Sequence, residues 1–399
     1  MPARVIVRLP NWLGDTVMAV PALRALRAGW PEARILAAGP WAHILAGQDL
    51  AAVLVSYPRA WHGRLATADT VRAFAGEIVI LLPRSFEAAL AARYWNAGRR
   101  VGFAVGGRSL LLTDRVPWSA TRLHQVDEYL RLVAHLGLAV ESRVPSLAPL
   151  PPEHEARVRA RRLLDDATAR THDPRVGVHL GADYGPSKLW PFARVVEGCR
   201  TLDAAGLTPV LLGSPRDAAL ADAVAAATGA ASLVGRDDPT LLPALLSEVD
   251  ALVAGDTGVT HLAAALGTPV VALFGPTDPA LSAARGAATV LTHPVPCAPC
   301  FYRVCPIEHP CLDGISAARV VDAVTAALGA PAALGGRHER DESPRADAGV
   351  GKRDVSCRAD LGHGGRDVAP RADLGRGGRD VAPRADGGLG GRQEPPNFG

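Results

Sequence analysis

Short apolar strands alternate with helical patterns in two successive series, and this alternation restricts the chain to an α/β fold built on parallel sheets with helices on both faces. The first series offers strands at 4–9, 33–38, 53–57, 77–82 and 99–103, with helical patterns at 15–28, 85–96 and 123–136. Pro21 falls within the first of these helices, so that helix either kinks or begins near Ala19. A Pro-rich break, PSLAPLPP at 145–152, closes the series, and a charged helix at 153–169 opens the next. Strands then follow at 176–180, 208–213, 232–234, 251–254 and 270–274, separated by helices at 192–205, 216–228, 241–248 and 257–266. The expected organisation is a first α/β domain at 1–150 and a second of similar build at 151–334, with a cleft between them. Ligands of open α/β sheets sit beyond the carboxyl ends of the strands.

The remainder of the 399 residues changes character. RADAGVGKRDVSC (345–357), RADLGHGGRDVAP (358–370), RADLGRGGRDVAP (371–383) and RADGGLGGRQEPP (384–396) form a tandem repeat of period 13. Such units bury too little apolar surface to offset their ordering entropy, so 335–399 reads as a disordered tail. Its Arg residues are nearly balanced by Asp, which weakens a reading as a basic arm. The net charge of +3 likewise argues against a dedicated nucleic-acid binder. The N-terminus lacks the apolar core of a signal peptide, and no apolar run reaches the roughly 18 residues of a membrane span, so a cytoplasmic chain is expected.

Four stretches carry candidate chemistry. In NWLGDTVMAVPALRALR (11–27), Gly14 ends a loop and Asp15 stands where a helix starts. Asp is a favoured cap there, but it is equally placed to act as a general base at the cleft edge. In HLGADYGPSKLWPFARVVEGCR (179–200), Lys188 follows a Gly-containing loop; it suits phosphate oxygens, or is a solvated loop charge. In LLGSPRD (211–217), Gly213 and Ser214 could admit a nucleoside to the backbone, or simply turn the chain from strand to helix. In GDTGVTHLAAALGTPVVALFGPTDP (255–279), Asp256, Thr257 and Gly258 open a helix whose free N–H groups and positive end suit a diphosphate. His261 lies one turn further on roughly the same face as Thr257, as a ligand contact or as a packed helix residue.

Together and in this order, these stretches resemble the glycosyltransferase family that contains the ADP-heptose:lipopolysaccharide heptosyltransferases, with a pattern most like heptosyltransferase II. The resemblance covers about 4–328. It implies a GT-B fold, two Rossmann-like domains facing across a cleft, the first binding the acceptor and the second a nucleotide-sugar. By position, Asp15 corresponds to the family's catalytic base, and Lys188 to the lysine that contacts and stabilises the donor phosphates. Gly14, Gly213, Ser214, Asp256, Thr257, Gly258 and His261 then fall to donor binding. The implied reaction is an inverting transfer of heptose from ADP-heptose to the lipid A-core oligosaccharide, without a catalytic metal and with peripheral contact to the inner membrane. Rival readings are a transferase of the same fold with another nucleotide-sugar, a sugar-nucleotide epimerase, and a non-catalytic nucleotide-sugar-binding protein. One segment stands apart. CAPCFYRVCPIEHPC (297–311) places Cys297, Cys300, Cys305 and Cys311 at a spacing that suits a structural zinc, with reduced thiols or a local disulfide as alternatives.

Overall fold

In the computed structural model, the described residues are 1–119, 121–168, 173–236 and 240–329. The repeats at 345–396, read above as a disordered tail, lie outside them. Strands β1 (Arg4–Arg8), β2 (Arg34–Gly39), β3 (Val53–Ser56), β4 (Ile78–Leu81), β5 (Arg99–Phe103) and β6 (Asp114–Val116) form one sheet in the order β3-β2-β1-β4-β5-β6. Strands β7 (Arg175–His179), β8 (Thr208–Leu212), β9 (Ala231–Ser232), β10 (Ala251–Gly255), β11 (Val270–Phe274) and β12 (Ala288–Thr292) form the second, in the order β12-β11-β10-β7-β8-β9. Every pairing is parallel. The two sheets have the same connectivity, the doubly wound order in which the chain reverses direction between the first and fourth strands. These two sheets are the architecture that the resemblance implies.

The sequence accounts for this directly. Both faces of a parallel sheet are covered, so its strands are continuous apolar runs. IVIL of β4 and VVALF of β11 are buried at every position. The first helix does break where Pro21 demands it: Leu13–Met18 ends at Ala19, and Val20–Gly29 begins with Pro21 in its first turn, where no N–H is missed. Helix Gln125–His135 packs on Val20–Gly29, and helix Glu155–Ala167 on Leu242–Glu248. The latter contact carries an Arg157–Glu248 ion pair of 2.6 Å.

Direct contacts join the element sets of the two sheets, and all belong to one compact unit. Arg285 Nη2 donates to Asp127 at 2.6 Å. His124 Nε2 donates to the Ala283 carbonyl at 2.9 Å, while its Nδ1 accepts from Val126 N–H. The most intimate contact lies at the reversal points. Helix Leu13–Met18, which follows β1, meets helix Gly258–Ala265, which follows β10.

Candidate functional site

Two strand-to-helix turns press together through glycines. A Cβ on Gly258 would stand 2.7 Å from Leu13 Cβ and 2.8 Å from Gly14 N. A Cβ on Gly14 would stand 2.8 Å from His261 Cδ2 and 3.2 Å from Gly258 Cα. Neither position has room for a methyl group. Gly258→Ala is therefore expected to separate the turns and lower stability by about 1–3 kcal/mol, read as a fall in the denaturation midpoint. An unchanged midpoint would show that the turns yield without cost.

Asp15 sits in the first turn of Leu13–Met18, partly buried, and accepts a hydrogen bond from Tyr129 Oη at 3.3 Å. Desolvation raises its carboxyl to about 6; the Tyr129 hydrogen bond and the charges of Arg84 and Lys188 oppose the rise, while Asp256 adds to it. Burial, joined by the charge of the same carboxylate, pushes the Tyr129 phenol well above its ordinary range, so Tyr129 stays a donor. A carboxylate near 6 is mostly ionised at neutral pH yet basic enough to accept a proton.

Across the glycine contact, Lys188 Nζ lies 2.5 Å from Asp256 Oδ2 and 3.1 Å from the Asp256 carbonyl. Both side chains are nearly buried, at 11% and 7% exposure. Thr277 Oγ1 donates to the same carboxylate oxygen at 2.8 Å, and the ammonium stands 4.6 Å from the centre of the Tyr184 ring. Lys188 is thus a fixed charge at the mouth of the turn rather than a solvated loop residue. Thr257 is the N-cap of Gly258–Ala265, and no side chain caps the helix start. Thr260 Oγ1 instead donates to the Gly255 carbonyl at 2.6 Å. The first-turn N–H groups and the positive end of the helix dipole are left for an anion. His261 is buried and held neutral, its ring lowered to about 4 chiefly by desolvation; it packs against Gly14.

Gly14, Asp15, Lys188, Asp256, Thr257, Gly258 and His261 therefore converge. Gly213 and Ser214 stand one strand away, at the end of β8, and are engaged locally. Asp217 Oδ2 accepts from Ser214 N–H at 2.8 Å and from Ser214 Oγ at 2.9 Å. Beside them a pocket at the ends of β7 and β10 is lined by His179, Gly181, Lys188, Trp190 and Gly255. Three arginines rim the side of the first sheet: Arg59 over the Trp12 ring at 3.9 Å, Arg84 over Trp118 at 4.3 Å and Arg122 over Phe301 at 5.9 Å.

Sequence reasoning missed Tyr129, Thr277 and Arg84. Tyr129 lies on an amphipathic helix and reads as core. Thr277 lies inside the quoted 255–279 stretch, but nothing in its spacing ties it to Asp256.

The Cys-bearing segment has a structural part here. Tyr184 Oη donates to the Phe301 carbonyl at 2.5 Å, Ser187 N–H to the Arg303 carbonyl at 3.1 Å and Ser187 Oγ to the Tyr302 carbonyl at 2.6 Å. The segment thus straps the loop that carries Lys188. Among the described residues no group of three or more His, Cys, Asp or Glu side chains is arranged to hold a metal ion.

The family model described as Glycosyltransferase family 9 (heptosyltransferase) matches residues 64–310. The lipopolysaccharide heptosyltransferase 2 of Salmonella typhimurium is 28% identical over 292 residues, covering 69% of this chain and 84% of that protein. The protein of the same name from Escherichia coli K12 is 27% identical over the same shares. Among solved structures, the E. coli ADP-heptose lps heptosyltransferase II superposes with a TM-score of 0.67 at 24% identity, covering 82% of this chain and 98% of that one. A family 9 glycosyl transferase from Veillonella parvula superposes with a TM-score of 0.70 at 20% identity, covering 82% and 97%. These two likenesses show the fold: two parallel sheets in the GT-B arrangement. The family match over 64–310 makes this chain a member of glycosyltransferase family 9, the heptosyltransferases.

Proposed function

We propose that this chain transfers heptose from ADP-heptose to a hydroxyl of the lipopolysaccharide inner core, working in the cytoplasm against the inner membrane surface. The observation that carries the reading is the pairing of a basic carboxylate, Asp15, with an anion-ready helix start and a fixed ammonium, Lys188, through the Gly14–Gly258 contact. Asp15 takes the proton of the acceptor hydroxyl as its oxygen bonds to the anomeric carbon. The bond from that carbon to the diphosphate breaks, and ADP leaves with the electron pair. Attack from the face opposite the leaving group inverts the centre, through an oxocarbenium-like transition state. Lys188 and the first-turn N–H groups after Thr257 meet the charge that grows on the leaving diphosphate, already oriented before it appears. The rim of Arg59, Arg84 and Arg122 suits an anionic acceptor.

Among the described residues no helix is long and apolar enough to cross a membrane. Titration calorimetry with ADP, UDP, GDP and CMP tests the donor. ADP is expected to bind at least about tenfold tighter than the others, a difference of about 1.4 kcal/mol. Preference for UDP or GDP would retain the transferase and discard ADP-heptose.

A further inference from the structure

We infer that the outer face formed by Leu65, Phe86, Leu90, Tyr94 and Leu110 seats this chain on an anionic lipid layer, a step that rests on the lipid-anchored acceptor of the reading above. Helix Phe86–Tyr94 turns Ala88, Ala89 and Ala92 to the core. Its outward stripe is Phe86, Leu90 and Tyr94, at 53%, 44% and 46% exposure. Spacing of i, i+4 and i+8 places them along one side of the helix. The helix touches both Trp61–Ala73, which presents Leu65 at 59% exposure, and the short turn Arg108–Leu111, which presents Leu110 at 86%. Five exposed large apolar side chains thus stand on three neighbouring elements, three of them in one helix stripe. Scattered exposed apolar residues need no explanation, but a helix stripe of three, flanked by two more on the elements it touches, does.

The charge around the face selects the occupant. Two of its acids are neutralised, Glu87 by Arg64 at 3.0 Å and Asp114 by Arg99 at 2.5 Å, while Asp69 keeps its charge and accepts from the Tyr94 hydroxyl at 2.5 Å. Arg72, Arg93 and Arg115 are exposed there and form no ion pair among the described residues. Arg72 stands 5.0 Å from the centre of the Tyr94 ring, and Arg115 Nε donates to the Ser109 carbonyl beside Leu110. Apolar side chains ringed by arginines match acyl boundary and anionic headgroups together. Location agrees with this. Phe86 follows Arg84 by two residues at the carboxyl end of β4, and Arg84 lies in the field of Asp15. A surface seated here presents a lipid-anchored acceptor at the rim on the Asp15 side.

The test is co-sedimentation of the full chain with phosphatidylcholine vesicles, alone or with about 30 mol % phosphatidylglycerol. Binding is expected only with the anionic lipid and is expected to weaken as salt approaches about 0.5 M. The Leu65→Ser, Phe86→Ser, Leu110→Ser triple variant is expected to lose at least about tenfold in vesicle affinity. Its turnover of a deacylated, water-soluble acceptor is expected to be unchanged, which also shows that it is folded. Arg72→Glu with Arg93→Glu supplies a second variant that leaves the apolar residues in place and is expected to abolish the anionic preference. Vesicle binding retained in both variants overturns the inference, as does a wild-type chain that never sediments. A wild-type dimer that the triple variant converts to monomer also overturns it, because the face is then a contact between copies. Vesicle binding is read without nucleotide, so a failed donor assignment leaves a separate signature.

Discussion

Asp15→Asn is expected to lower kcat by about 10²–10⁴-fold while making the protein more stable at neutral pH. The two effects share one cause. Burial raises the Asp15 carboxyl from 3.8 to about 6, so ionising it in the folded state costs about 1–3 kcal/mol more than in the unfolded chain. The sign follows from proton counting. Between these values the folded state binds more protons than the unfolded one, so stability falls as pH rises through the interval. Below about 4 the carboxyl is protonated in both states and the penalty vanishes; above about 6 it is complete. Asparagine removes the charge, retains an acceptor for Tyr129 Oη and cannot take a proton. The variant should gain denaturation midpoint at pH 7 and show no gain at pH 4. For the wild type, kcat/KM should fall about tenfold per pH unit below about 6, the limb of a base that must be ionised. Full activity in the variant, or an acid limb near 4, would remove Asp15 from the chemistry.

Lys188→Ala is expected to weaken ADP binding by more than about tenfold and to destabilise the fold by up to roughly 3–5 kcal/mol. The second effect arises because Asp256, at 7% exposure, keeps only Thr277 as a side-chain partner when the ammonium is removed. A binding defect could then be a folding defect in disguise. The pair Lys188→Met with Asp256→Asn separates them. It removes both charges, so stability is expected to recover much of its loss, whereas ADP affinity is expected to stay low. A double variant that binds ADP as well as the wild type would assign Lys188 a purely structural task.

Much of the fold was legible because parallel strands buried on both faces must be apolar throughout, as in IVIL and VVALF. The strands that escaped are edges. Asp114–Val116 has three residues and begins with a charge, and Ala288–Thr292 is exposed at two of its five positions, so neither presents a continuous apolar run. Helix Trp61–Ala73 was also missed; Gly63 and two threonines dilute its periodicity. Helix Ala317–Gly329 carried a readable signal, since Ala317, Val320, Val321 and Val324 recur at i, i+3, i+4 and i+7 and are all buried. The site divides the same way. Asp15, Lys188 and Asp256 stand at strand-to-helix turns, where sequence marks chemistry by Gly and charge. Tyr129 reaches Asp15 from 114 residues away in the chain, and no local pattern records that distance.

The Gly14–Gly258 contact also acts as a ruler. Where two halves of a reaction are held apart by side chains, their separation drifts whenever a side chain is exchanged. Here the spacer has zero length: the two turns touch main chain to main chain, and the gap between the Asp15 turn and the helix start after Thr257 is fixed by the thickness of the polypeptide itself. Surrounding cores can be repacked residue by residue without resetting that dimension, provided both positions stay bare.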